Sequence, residues 1–303
     1  MKQNPFSLYD FLGYLIPGAT LIYLLIIIKS CGGDFGDCDL ATLVSSVTEY
    51  QLQEVFFFII ASYALGHIIS FLSSISIEKF GNWRYCYPSK VLIGFEKKSY
   101  WVLKQTPEDY NPDKDFYDIE PKQKIRSAQN RARGLLGIFI LPLIISEYLL
   151  GQQLNLKKLY SKGLDPYLID RIKERTIVLL NSLSFTDQPI KTNELKDIDF
   201  NRVVHHYAFE NSKQHQFRMV NYVALYGFLR NLVLTFILSF WYYFAISLCS
   251  INTNLEFNGP MILTNIVLIL LSFVAFMAYM KFYRRYTLEG LMLILVDKNI
   301  RKG

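Results

Sequence analysis

Arginines and histidines set among aromatics are the residues of this chain best suited to chemistry. Arg126, Arg131 and Arg133 stand at i, i+5 and i+7, a helical spacing that lets them share a face. Arg202, His205, His206, Lys213 and Arg218 form a second basic group, interleaved with Tyr207 and Phe217. Guanidinium groups hold phosphates through paired hydrogen bonds, and aromatic rings stack on bases. Both groups therefore permit a nucleotide or oligonucleotide ligand. They are equally the pattern of a basic surface beside a membrane, which carries positive charge with no ligand at all.

Other chemistries lack their residues. The chain has no GxSxG, P-loop, HExxH or GxGxxG pattern. His205, His206 and His215, with Cys86 far away in sequence, match no common metal spacing. Neither a catalytic constellation, a metal site nor a cofactor is expected, and the chain reads as a non-enzyme.

A different kind of candidate sits inside apolar runs. His67 interrupts an otherwise uncharged stretch and is accompanied by Gly66, Ser70, Ser73, Ser74 and Ser76. An ionisable group at membrane depth must face protein or water, so it is a functional hypothesis by default. His67, Ser70 and Ser74, with Asn265 in a later run, are candidates to line or gate a pore. The plainer reading of His67 is a neutral imidazole bonded to a neighbouring helix. Arg230 and Asn231 close the motif Tyr226-Gly227-Phe228-Leu229-Arg230-Asn231 at a membrane boundary, where they would couple a soluble part to a pore.

The elements that must position these residues follow from hydropathy. Half of the residues are hydrophobic, yet 19% are charged, so membrane spans must alternate with a solvated part. Four uncharged or nearly uncharged runs, Phe11 to Ile28, Val55 to Ile77, Leu232 to Cys249 and Pro260 to Met280, each approach the roughly 20 residues a spanning helix needs. The formal net charge is +6, and the basic residues avoid these runs. The predicted organisation is a transmembrane hairpin (1–77), an inserted, mostly helical cytoplasmic domain (78–216), a second hairpin (217–285) and a cytoplasmic tail (286–303).

The link between the first two runs carries Asp34, Asp37, Asp39, Glu49 and Glu54 and no Lys or Arg. A base-poor loop belongs outside the cytoplasm, which puts both termini inside. On that side a Cys31–Cys38 disulfide is chemically permitted; two free thiols are the alternative. The run GLLGIFILPLIISEYLL, Gly134 to Leu150, complicates the map. The stretches on either side of it are equally basic, and Pro142 and Glu147 interrupt it. It is read as a buried or interfacial helix, leaving four spans. Asp165-Pro166 predicts a helix start, and residues 193–216 predict a helix that runs on into the third span.

Three stretches carry a resemblance. Tyr9-Asp10-Phe11-Leu12-Gly13-Tyr14-Leu15-Ile16-Pro17-Gly18, Tyr63-Ala64-Leu65-Gly66-His67-Ile68-Ile69-Ser70 and the Tyr226–Asn231 motif resemble the signatures of a group of bacterial membrane proteins associated with anti-phage defence. The likeness covers the membrane halves and not the middle of the chain. It implies either a channel effector of the Hailong type or a membrane sensor of the Kiwa type. For the first, it implies a bacterial inner-membrane pore opened by a nucleotide or oligonucleotide that a partner enzyme makes. For the second, it implies a non-conducting scaffold that recruits a cytoplasmic effector. Four spans enclose little water, so a conducting pathway through this protein requires a homo-oligomer, expected to be a tetramer within membrane lipid.

Overall fold

Apolar runs with no charge to solvate form helices in a bilayer because only the helix satisfies every backbone group within one segment. The computed structural model follows that rule. It describes residues 10–30, 52–95, 134–183, 189–196, 198–251 and 259–300. Among the described residues there are helices and no strand. Cys31, Cys38, Arg126, Arg131 and Arg133 lie outside them, as do the acidic loop residues Asp34, Asp37, Asp39 and Glu49.

Helix α1 (Ile16–Ser30) follows a π-helical turn at Phe11–Leu15. Helix α2 (Leu52–Ser73) passes through a second π turn, Ser74–Glu78, into α3 (Lys79–Tyr85), and α4 (Pro88–Leu92) follows a break at Cys86. Residues 134–139 are helical and lead through a turn at Ile140 into α5 (Leu141–Ser146) and a π turn at Glu147–Gln153. Helix α6 (Pro166–Ser182) begins as the sequence predicts: Pro166 takes the first turn, and the Asp165 carboxylate accepts from the Leu168 amide at 3.0 Å. Helices α7 (Phe200–Asn211), α8 (Lys213–Ile251) and α9 (Gly259–Val296) complete the chain.

Four helices are long and apolar enough to cross a membrane: Phe11–Lys29, Leu52–Leu92, Lys213–Leu248 and Met261–Val296. At 1.5 Å per residue, α8 and α9 are each close to 57 Å long, about twice the thickness of a hydrocarbon core. Both therefore project well beyond it. They form an antiparallel pair, sewn together by Tyr222 on Phe282 and by Tyr226 against Tyr279, Tyr283 and Tyr286, with ring centroids 5.2–6.3 Å apart. Lys79, Arg84, Arg230, Lys281, Arg284 and Arg285 gather toward one end of the bundle, here called the basic end. Beyond it, α4, α6 and α7 bury Leu92, Ile172, Leu179, Phe200 and Val204 against Leu291 and Ile294 of α9.

One expectation needs correction and another is narrowed. The predicted continuous helix over 193–216 is broken. Thr192–Lys196 is a 3₁₀ turn, α7 starts at Phe200, and Ser212 is extended, with φ −147° and ψ 106°. Ser212 caps α8, its hydroxyl lying 3.4 Å from the His215 amide. Of the two readings of the run from Gly134, buried or interfacial, the structure shows burial of one face. Ile140 and Leu143 are fully buried in the same core as Val233, Leu234, Ile237 and Phe276 of the spans.

Candidate functional site: a polar face in the membrane bundle

The first two spans approach each other through glycine. A Cβ on Gly66 would lie 1.9 Å from the Tyr14 carbonyl oxygen, and one on Gly18 would lie 1.9 Å from that of Ser62. Only a residue without a side chain lets the two backbones meet this closely. The contact brings the Tyr14 ring over His67, stacked at 3.9 Å and 19°, while Tyr63 meets the imidazole edge-on at 4.6 Å.

His67, Ser70 and Ser74 fall at i, i+3 and i+7 and so share one side of the helix. His67 is exposed on the surface of the chain; Ser70 and Ser74 are half-buried. His67 precedes Glu78, at the basic end, by 11 residues, or about 16 Å of helix. An exposed imidazole thus stands near the middle of an apolar span. The Ser74 hydroxyl satisfies itself locally, donating to the Phe71 carbonyl at 2.6 Å.

Arg230 and Asn231 close the foot of this face. Arg230 pairs with Glu78, donates from Nε to the Ser73 hydroxyl at 3.0 Å, and brings a second nitrogen within 3.4 Å of the Ser70 carbonyl. Ser73 in turn donates to the Asn231 side-chain oxygen, and Asn231 Nδ2 donates to the Gly13 carbonyl at 2.6 Å. Arg230 donates to both Glu78 and Ser73, Ser73 donates to Asn231 and Asn231 to Gly13, so these five residues form one connected network. It ties α2, α8 and the π turn before α1 through buried polar groups, Ser73 and Asn231 being 0% and 1% exposed. Thr235, one turn on, adds a hydroxyl 3.4 Å from the Pro17 carbonyl.

Asn265 does not join this site. It lies on α9 in an apolar cleft of about 230 Å³ with Phe240, Phe244, Ser247 and Leu248, and its amide donates to the Met261 carbonyl at 2.9 Å. The second basic group is dispersed. Arg202 is exposed and paired with Asp199 at 2.9 Å, beside a polar cleft of about 410 Å³ lined by Tyr87, Ser89, Asn201 and Tyr283. His205 turns the other way, onto the Tyr286 ring at 4.3 Å, and burial holds its pKa down to about 4. His206 and Lys213 are exposed, and Arg218 pairs with Glu289 at 3.2 Å.

One polar centre escaped sequence reading. Glu147 is 2% exposed and receives Arg84 at 3.3 Å, the Gln152 amide at 3.1 Å and the Tyr85 hydroxyl, itself 2.7 Å from that of Tyr160. The carboxylate weakened the case for membrane burial only while its partner was unknown. Arg84, a short way past the second run, was the signal. Cys86 is a free thiol at φ 65°. Among the described residues, no group of three or more His, Cys, Asp or Glu is placed to hold a metal. The chain is a mostly helical, multi-pass membrane protein by the length and composition of its helices. Comparison with known families, curated proteins and solved structures returns no match.

Proposed function

We propose that this protein is a membrane effector of bacterial anti-phage defence, an oligomeric pore whose opening depolarises the inner membrane. The observation that carries the reading is the exposed His67 at mid-span, sharing a face with Ser70 and Ser74. An imidazole against acyl chains is costly, so its neighbour is water or another protein surface. Four spans in one chain enclose little water. A ring of copies, a tetramer in the simplest closed arrangement, would turn the face of each α2 toward a shared axis. Inner-membrane placement, cytoplasmic termini and the defence role rest on base-rich and base-poor loops and on the signature-like stretches, and belong to the same proposal.

Gating is assigned to the part beyond the basic end, taken here as the inserted cytoplasmic domain. The polar cleft beside Arg202 joins α7 to Tyr87, between α3 and α4, and to Tyr283 on α9. A nucleotide or oligonucleotide from a partner enzyme would press on these elements from there. Arg230 and Asn231 then pass the displacement to α2 through Ser73. Chemistry on a substrate has no part in this account.

The rival is a non-conducting sensor that recruits a cytoplasmic effector; α6 and α7, packed on α9 beyond the basic end, offer it a platform. The two part on membrane potential. Expressed with its partner enzyme and trigger, a pore depolarises cells and releases ions from liposomes, measured by a potential-sensitive dye. Intact potential in both settings, with folded oligomer present, would sink the pore in favour of the scaffold.

A further inference from the structure

The hydrogen-bond ladder of residues 134–153 survives the turn at Ile140: the Ile140 amide donates to the Leu136 carbonyl at 3.0 Å and the Ile144 amide to the Ile140 carbonyl at 3.1 Å. Two contacts fix the depth of this segment. At one end, Glu147 sits with Arg84 and Tyr85 at the basic end. At the other, the Trp241 indole donates to the Phe139 carbonyl at 2.6 Å. Trp241 lies 11 residues beyond Arg230 along α8, or about 16 Å, which is the midplane of a hydrocarbon core about 30 Å thick.

The segment has two faces. Leu136, Phe139, Ile140, Leu143 and Ile144 pack into the core of the spans. Leu135, Ile138, Leu141, Ile145 and Leu149 recur every three or four residues on the other side and are 43–72% exposed. No charged residue lies between Gly134 and Ser146. The one carboxylate, Glu147, is paired, and Lys157 and Lys158 follow where headgroups begin.

We propose that residues 134–153 are a fifth membrane-embedded segment, entering from the basic end and reaching at least the bilayer midplane, with the Leu135, Ile138, Leu141, Ile145 and Leu149 face against lipid acyl chains. Water does not cover an apolar stripe at that depth, and the ladder leaves the segment able to tolerate hydrocarbon. The inference needs the membrane setting of the four long helices, not the pore.

Spin labels at Leu135, Ile138 and Ile145 test it, in full-length protein in liposomes with Cys31, Cys38, Cys86 and Cys249 replaced by Ser. Leu270, 11 residues from Lys281 on α9 and 42% exposed, is the acyl-chain reference, and Lys158 the aqueous one. The expected oxygen-to-nickel-chelate accessibility ratio at Ile138 matches Leu270 and exceeds Lys158 several-fold. A ratio like that of Lys158 places the face in water and overturns the proposal. Low access to both reagents, the mark of cover by protein, overturns it as well. Unmodified protein photolysed with diazirine-acyl phosphatidylcholine gives a check free of substitutions: lipid adducts within 135–149 are expected, and their absence while α9 is labelled contradicts the assignment.

Discussion

Asn231 Nδ2 donates to the Gly13 carbonyl at 2.6 Å, joining residues 218 positions apart across the first and third spans. The same amide accepts from Ser73 on the second span, so one side chain holds three membrane helices. Apolar packing alone discriminates little between helices in lipid, where tails are as oily as leucine. A directional polar link fixes which helices meet and in what register.

Replacing Asn231 with Leu removes both bonds and leaves Ser73 and the Gly13 carbonyl without this partner. The expected loss is about 1–3 kcal/mol, the desolvation penalty of groups left unsatisfied. Thermal unfolding of purified protein in detergent reads it. Asn231→Asp keeps the acceptor for Ser73 but not the donor to Gly13, and is expected to fall between the two.

Gly66→Val drives a side chain into the Tyr14 carbonyl, a backbone atom that cannot swing aside. The first two spans must part, with a several-fold fall in folded, monodisperse protein on size-exclusion chromatography. Gly134→Ala is the control, since a Cβ there meets nothing within 4 Å. Equal yields from both variants would contradict the close helix contact.

Glu147→Ala strands the Arg84 guanidinium beside buried aromatics. Breaking a fully buried pair from one side costs about 3–5 kcal/mol, and Arg84, about a quarter exposed, puts this pair at or below the lower end. Glu147→Gln retains a hydrogen-bonding carbonyl and is expected to lose less. Unfolding in detergent orders the three proteins as wild type, Gln, then Ala.

His205 supplies a pH dependence. The free imidazole titrates near 6.5, and burial, reinforced by His206 and offset in part by Asp199, lowers this to about 4 in the fold. Between those values the unfolded chain binds more protons. Stability is full above pH 6.5 and declines as pH falls toward 4, by up to about 3 kcal/mol if the histidine acts alone. His205→Gln is expected to flatten the pH dependence of the melting temperature in that window.

How much of this was legible in the sequence differs by kind of feature. The four spans follow from uncharged runs, because lipid punishes charge regardless of tertiary context. The candidates His67, Ser70, Ser74, Arg230 and Asn231 were visible as polar residues in or beside those runs, and the fold brings them to one region. Asn265 is polar within an apolar run by the same rule and lies elsewhere, because polarity in such a run says nothing of which face the residue occupies. His205 looked like a surface ligand beside Arg202, yet one faces α9 and the other solvent. The break at Ser212 had a visible cause, a serine three residues before His215, but helical spacing on both sides masked it. The burial of Glu147 is not legible in the sequence because hydropathy scores an acidic residue alone, whereas its cost depends on Arg84, 63 positions away.

The central claim is that the His67, Ser70 and Ser74 face of α2 lines a water-filled path in the assembled protein. Cysteines placed there by His67→Cys, Ser70→Cys and Ser74→Cys, with Ile68→Cys on the far side of the exposed arc as reference, test it in planar bilayers with candidate nucleotides and oligonucleotides supplied as the proposed trigger. A charged, water-soluble thiol reagent is added to the open channel. The account predicts block of single-channel current at residues 67, 70 and 74, and none at 68. Conductance indifferent to modification at all three face positions would contradict it.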